Sequence, residues 1–134
     1  KFYYRNVPEL RRNYALEATF AGFPSDQQAI QEKLNESRHH RNTTQPKAAS
    51  AGCTFKNPAV CGAGQLIDEM GLKETGVGKA EVSPEHGNFI VNRGKASASD
   101  VISLIETIKA KAKEDRGVVL ETEIQILGED EVVF

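Results

Sequence analysis

The strongest periodic signal lies towards the C-terminal end. Val101, Leu104, Ile105 and Ile108 recur at i, i+3, i+4 and i+7, one apolar stripe of a helix predicted over 98–115. Ser97 is placed to cap it, and Asp100 falls in the first turn, where the helix dipole favours an acid. Lys109, Lys111 and Lys113 follow in the later turns, and Gly117 ends it. Elsewhere the period drops to two. Leu120, Thr122, Ile124 and Ile126 alternate with Glu121, Glu123 and Gln125, which predicts a last strand from Val118 to Leu127. Leu16, Ala18 and Phe20 alternate with Glu17 and Thr19, a half-buried strand closed by Gly22, Phe23 and Pro24. Two short runs, Ala80-Glu81-Val82 and Phe89-Ile90-Val91-Asn92, can pair through the Ser83-Pro84-Glu85 turn.

Two further helices are predicted. One starts at Ser25 as cap with Gln28 three residues on, carries Ile30 and Leu34 on one face, and ends near Arg38. A short one runs from Ala63 to Met70 and stops at Gly71. Phe2 to Arg12 reads as loop because of Pro8, and Asn42 to Ala51 as a polar, turn-rich stretch around Pro46. An α+β fold is expected. In it a small, mostly antiparallel sheet packs against helices. The 98–115 helix lies on one face, and the other side exposes the 51–58 segment, His86 and Glu123.

Composition narrows the class more than the function. A chain of 134 residues that is 39% hydrophobic and 27% charged is a globular domain with a real core. A net charge of −2 argues against general nucleic-acid binding, which needs a basic face. No apolar run approaches a membrane span, and nothing at the start reads as a leader. The opening Lys1-Phe2-Tyr3-Tyr4-Arg5 lacks an initiator Met and reads as mid-domain sequence, so a fragment of a longer protein is expected. Cys53 and Cys61 are eight apart, without Cys-x-x-Cys spacing, which favours two free thiols over a disulfide, zinc or thiol-redox site.

The chemistry concentrates in Ala51-Gly52-Cys53-Thr54-Phe55-Lys56-Asn57-Pro58. A thiol, an ammonium and an amide in five residues suit an anionic ligand and proton transfer; an ordinary turn uses the same residue types. Gly52 would let the backbone approach something closely. The cluster Arg38-His39-His40-Arg41 is either a solvated face or an anion contact. Glu121 and Glu123 either face solvent or line a cleft where one acid is held for chemistry.

These stretches together resemble one family. The 51–58 run, Ala63 to Lys73, His86-Gly87-Asn88-Phe89-Ile90-Val91-Asn92, Ala98 to Val101 and Leu120-Glu121-Thr122-Glu123 followed by Gly128 are similar, in order, to the UDP-N-acetylenolpyruvoylglucosamine reductases of peptidoglycan synthesis. Tyr4-Arg5 matches that family's Tyr-Arg motif. The resemblance implies residues 1–24 as the tail of a flavin-binding domain and 25–134 as the C-terminal substrate-binding domain. It implies a cytoplasmic enzyme in which NADPH reduces FAD, and the flavin reduces the enolpyruvyl group of UDP-N-acetylglucosamine enolpyruvate. FAD would be held mainly by sequence outside this chain, whose Gly-rich flavin cradle is absent here, and the chain alone would be inactive. Compact spacing from Phe20 to Pro46 resembles the subgroup without a substrate-covering tyrosine loop.

Residue by residue, Arg5 matches the arginine facing the enolpyruvyl carboxylate, Glu123 the catalytic glutamate, and Cys53 the position of the usual serine proton donor. Lys56 and Asn57 match substrate-binding positions, Asn57 towards the nucleotide. His86 and Asn88 match the diphosphate region, and Tyr4 a position beside Arg5 or the flavin. Gln45 stands where the family has a lysine before Pro46, leaving Lys47 or Arg41 to supply that charge. The competing reading is a non-enzymatic binding or interaction domain that kept the fold without the flavin part. An upstream flavin-binding reading frame joined to Lys1 would favour the enzyme.

Overall fold

The computed structural model describes residues 7–11 and 13–128, and falls into two units, Lys1–Leu34 and Asn35–Phe134. Tyr4 and Arg5, and the acidic end expected at Glu129 to Glu131, lie outside the described residues.

In the first unit Pro8–Arg11 forms one 3-10 turn where a loop is predicted, closed by the Leu10 N–H donating to the Val7 carbonyl at 2.9 Å. Residues 13–24 contain no strand. Leu16 is 96% exposed and Phe20 89%, so their alternation with Glu17 and Thr19 has no buried side. A strand exists only through a neighbour's hydrogen bonds, and no described residue pairs with this stretch. Helix α1 spans Gln27–Thr44. Its cap is Asp26 rather than Ser25: one carboxylate oxygen accepts from the N–H groups of Gln28 and Ala29 at 2.9 and 3.2 Å. The helix outruns its predicted end by six residues, from Arg38 to Thr44. The hydroxyls of Thr43 and Thr44 fold back onto the carbonyls of His39 and His40, so a polar stretch stays helical.

The second unit has the predicted α+β architecture. Four strands, β1 (Ser50–Cys53), β2 (Gly76–Val77), β3 (Ala80–Val82) and β4 (Phe89–Asn92), form an antiparallel sheet in the order β1-β4-β3-β2. The expected β3–β4 pairing is present, with Glu81 opposite Val91. Helix α2 (Ala63–Glu69) stops at Gly71, whose φ is +67°. Helix α3 (Ala98–Arg116) packs on β2, β3 and α2. Leu104, Ile105, Ile108 and Ala112 of α3 are buried with Leu66 and Ile67 of α2, Val82 of β3, and Phe55 and Leu120.

Both ends of α3 follow the sequence reading. Ser97 Oγ accepts from Asp100 N–H at 3.1 Å while Asp100 Oδ2 accepts from Ser97 N–H at 3.0 Å, a reciprocal capping box. Gly117 takes φ +65° at the other end. Ser97→Ala is expected to cost about 1 kcal/mol, read from chemical denaturation of the chain.

Two predicted features change. β1 occupies the first half of the stretch read as a loop. Cys53 pairs with Phe89 and Ser50 with Val91, so one extra residue is accommodated as a bulge. Gly52 sits in it at φ +85°, and a Cβ there would meet nothing within 4 Å. The glycine is required for its backbone angle, not for a close approach. The strand predicted over 118–127 has no ladder: Thr122 makes an isolated bridge to Phe55. Leu120 is buried as expected, and Val118 and Ile124 pack against the core.

Candidate functional site

The 53–57 segment is held on both sides by backbone. Lys56 N–H donates to the Glu121 carbonyl at 2.9 Å, and Glu123 N–H donates to the Thr54 carbonyl at 2.8 Å. The Glu123 backbone therefore lies against the residue next to Cys53. Both residues are half-buried, and Cys53 and Cys61 are free thiols. Across the other side, Thr54 N–H donates to the Asn88 carbonyl at 2.8 Å. Asn88 is 3% exposed, and both ends of its amide bond to one residue. Its Oδ1 accepts from Phe55 N–H, and its Nδ2 donates to the Phe55 carbonyl, both at 2.8 Å. Asn88, expected as a diphosphate contact, thus sits inside the fold as a clamp on Phe55.

Lys56 and Asn57 are exposed. Lys56 Nζ pairs with Glu121 Oε2 at 3.0 Å, a surface ion pair that costs little to break. Asn57 Oδ1 accepts from Ala63 N–H at 3.0 Å and closes the 57–63 loop onto the start of α2. The amide nitrogen of Asn57 is left to donate outward.

A cleft of about 730 Å³ opens between the last turns of α1 and the turn before β4. Ser37, His40, Arg41 and Thr44 line it from α1, and Gln45, Glu85 and His86 complete it. Arg41 Nε donates to Gln45 Oε1 at 3.2 Å, so the guanidinium stands beside the position where a lysine was expected. Ser83 Oγ donates to Glu85 Oε2 at 2.6 Å, which holds the Glu85 carboxyl below its ordinary range and keeps it charged. His86 is fixed in the turn by Asn88 N–H, which donates to its Nδ1 at 3.1 Å, and by an edge-on contact with Phe89 at 4.9 Å between ring centres. The proton of the neutral ring is therefore on Nε2.

Partial burial pushes the His86 pKa below its usual value, and Lys73 adds to this. The unfolded chain then binds the extra proton between the usual value of about 6.5 and the lower folded value. Stability is full above that window and is lost as pH falls through it. His86→Gln is expected to flatten this part of a denaturation-midpoint profile between pH 8 and 5.

The sequence reading singled out His86 and Gln45, which line this cleft, but not Ser37, Thr44 or Glu85, which line it with them. The signal existed: Ser37, His40, Arg41 and Thr44 stand at i, i+3, i+4 and i+7, one helix face. Ending the helix at Arg38 hid it. No group of three or more His, Cys, Asp or Glu among the described residues could hold a metal ion.

Residues 45–127 match the family model described as UDP-N-acetylenolpyruvoylglucosamine reductase, C-terminal domain. The chain belongs to the UDP-N-acetylenolpyruvoylglucosamine reductase family. The reductase of that name from Clostridium novyi is 45% identical over 129 residues, covering 95% of this chain and 42% of the relative. The one from Bacillus pumilus is 42% identical over 121 residues, covering 90% and 40%. The crystal structure of the reductase from Thermus caldophilus superposes with a TM-score of 0.63 at 46% identity, over 73% of this chain and 34% of that one. The chain thus spans about two-fifths of the length of the curated relatives it matches. No helix among the described residues is long and apolar enough to cross a membrane.

Proposed function

We propose that this chain is the UDP-sugar-binding part of a cytoplasmic, FAD- and NADPH-dependent reductase of peptidoglycan synthesis, acting on UDP-N-acetylglucosamine enolpyruvate. The family match over residues 45–127 carries the reading, because it contains Gln45, Cys53, Lys56, Asn57, His86, Asn88 and Glu123. Residues 1–24 are assigned to the tail of the flavin-binding domain and 25–134 to the substrate domain.

The described residues do not build a dinucleotide cradle. The N-terminal amides of α1 and α3 are taken by Asp26 and by the Ser97–Asp100 box, and Ala63 N–H of α2 is taken by Asn57. FAD, with NADPH as its reductant, is therefore assigned to the rest of the reductase, and no step is routed through it here.

What this chain contributes is binding and a proton. Lys56 and Asn57 offer a cation and an amide donor from the surface of the 53–57 segment to the UDP half. Arg41, Gln45 and His86 line the cleft where a diphosphate can be met by donors. Arg5, with Tyr4 beside it, is the partner of the enolpyruvyl carboxylate, since a guanidinium fork matches a carboxylate. Cys53 Sγ donates the proton that ends on carbon; a thiol with an ordinary pKa of about 8.5 gives up its proton far more easily than a hydroxyl. Glu123 shares the charge that develops beside the carboxylate.

The chain alone is expected to carry no flavin absorbance and no turnover. It is expected to bind UDP-N-acetylglucosamine enolpyruvate weakly, detected as saturation transfer to the ligand in NMR. Asn57→Asp keeps the Oδ1 acceptor for Ala63 N–H but removes the amide donor and adds a negative charge. Binding should weaken by about tenfold, the usual scale for losing a hydrogen bond to a charged group. A folded chain showing no transfer at millimolar ligand would overturn the assignment.

A further inference from the structure

The His86 imidazole, the Asn88 amide and the Phe55 backbone form a continuous chain from the cleft into the 53–57 segment. Asn88 N–H donates to His86 Nδ1 at 3.1 Å. The Asn88 side chain then grips both backbone groups of Phe55, and its carbonyl accepts from Thr54 N–H. His86 lines the cleft, whereas Asn88 is buried. Because Nδ1 accepts a hydrogen bond, it cannot also hold a proton without turning Asn88 N–H against a like donor.

We infer that Asn88 is a positioning residue for the 53–57 segment and that His86 governs it, so that protonation of the cleft imidazole loosens the segment. The inference rests on the proposed function only for what that segment acts upon. The charged and titratable groups around His86 come from three elements. His40 and Arg41 line the cleft from α1, the Glu85 carboxylate lies in the same turn, and Lys73 after α2 adds a repulsive charge while itself paired with Asp68 Oδ2 at 2.7 Å. Burial and the Lys73 charge oppose the proton, and a backbone hydrogen bond of His86 favours it. An anion entering the cleft would tip this balance towards the protonated ring. Ligand binding and the setting of the 53–57 segment would then be linked.

The test uses the full chain labelled with nitrogen-15. The His86 ring is titrated from pH 8 to 5, and protection factors, already corrected for intrinsic exchange, are followed for the amides of Phe55 and Thr54. Protection at both is expected to fall at least tenfold as His86 gains its proton, while Ile105 and Ile108 in α3 stay protected. In His86→Phe, which removes the acceptor and the titration, protection at Phe55 should be low throughout and independent of pH. Phe55 protection that ignores the His86 titration would overturn the inference. So would an equal fall at Ile105, or the same pH response in His86→Phe. Inorganic diphosphate added at constant pH should raise the His86 pKa and lower Phe55 protection together; protection unchanged while the pKa rises also counts against it. These readouts need no sugar binding. A relay that responds while UDP-N-acetylglucosamine enolpyruvate fails to bind leaves the inference standing and removes the proposed function.

Discussion

Replacing Asn88 by alanine is expected to destabilise the protein by about 2–6 kcal/mol, because two buried backbone groups lose their partners at about 1–3 kcal/mol each. The groups are Phe55 N–H and Phe55 C=O, each held at 2.8 Å by the Asn88 amide, and Phe55 itself is 1% exposed. Water cannot replace the amide without opening the core around Phe55, which includes Leu66, Ile67 and Leu120. Against a total stability of about 5–15 kcal/mol for a single domain, this is a large share. Urea denaturation would measure it. Asn88→Asp supplies an internal control for mechanism. The ionised carboxylate keeps an acceptor for Phe55 N–H but confronts the Phe55 carbonyl with another acceptor, and burial raises its pKa. Once protonated, it can donate to that carbonyl again. Relative to the parent chain, the Asn88→Asp variant should therefore be weakest above its folded pKa and recover as pH falls through it. A deficit unchanged with pH would mean that the lost bond is not the cause.

The same residue shows where legibility stopped. The sequence marks His86-Gly87-Asn88 as a candidate ligand-contacting stretch, but which of its side chains lines the cleft and which is buried was not readable. A sequence carries the type of a polar residue and not the partner that consumes it. Asn57 makes the same point: one end of its amide closes a loop onto α2, and the other is left outside.

The fold was most legible where local chemistry and long-range packing agreed. In α3 the apolar stripe, the Ser97–Asp100 box and Gly117 all point to one helix, and the core uses that stripe. Pairing of Ala80–Val82 with Phe89–Asn92 was legible because a short turn leaves adjacent strands little choice. Alternation failed where it needed a distant partner. Leu16 to Phe20 alternates but pairs with no described residue. Thr122 to Ile126 alternates in sequence but not in burial, since Glu123 is half-buried like Thr122 and Ile124, and isolated bridges, one of them from Thr122 to Phe55, replace the ladder. The end of α1 was hidden by composition, since Asn42-Thr43-Thr44 looks like a loop until its hydroxyls are satisfied within the helix. With that turn misplaced, the cleft it lines could not be assembled.

Gly87→Ala is expected to have the other large effect, about 3 kcal/mol or more, the scale of overpacking against groups that cannot yield. A Cβ at residue 87 would stand 2.6 Å from the Gly64 carbonyl oxygen and 3.3 Å from both Asp68 N and Ile67 Cβ. Those atoms belong to α2, whose Leu66 and Ile67 are buried, so the helix cannot retreat without opening the core. The turn from Ser83 to Asn88 would have to move instead, taking with it the His86 and Asn88 contacts. Gly64→Ala probes the same junction from the opposite side with a different expected result. Its Cβ would come 2.7 Å from His86 Cε1 and 3.1 Å from His86 Nδ1, but that neighbour is a side chain that can rotate into the cleft. Gly64→Ala should therefore cost less than half as much in stability. It should still free Asn88 N–H from the ring and abolish the pH response of Phe55 protection. Thermal unfolding of both variants, with Phe55 exchange measured for Gly64→Ala, separates the two cases. Equal destabilisation by the two substitutions would show that His86 is packed as rigidly as α2. The imidazole could then not act as the movable part of this junction.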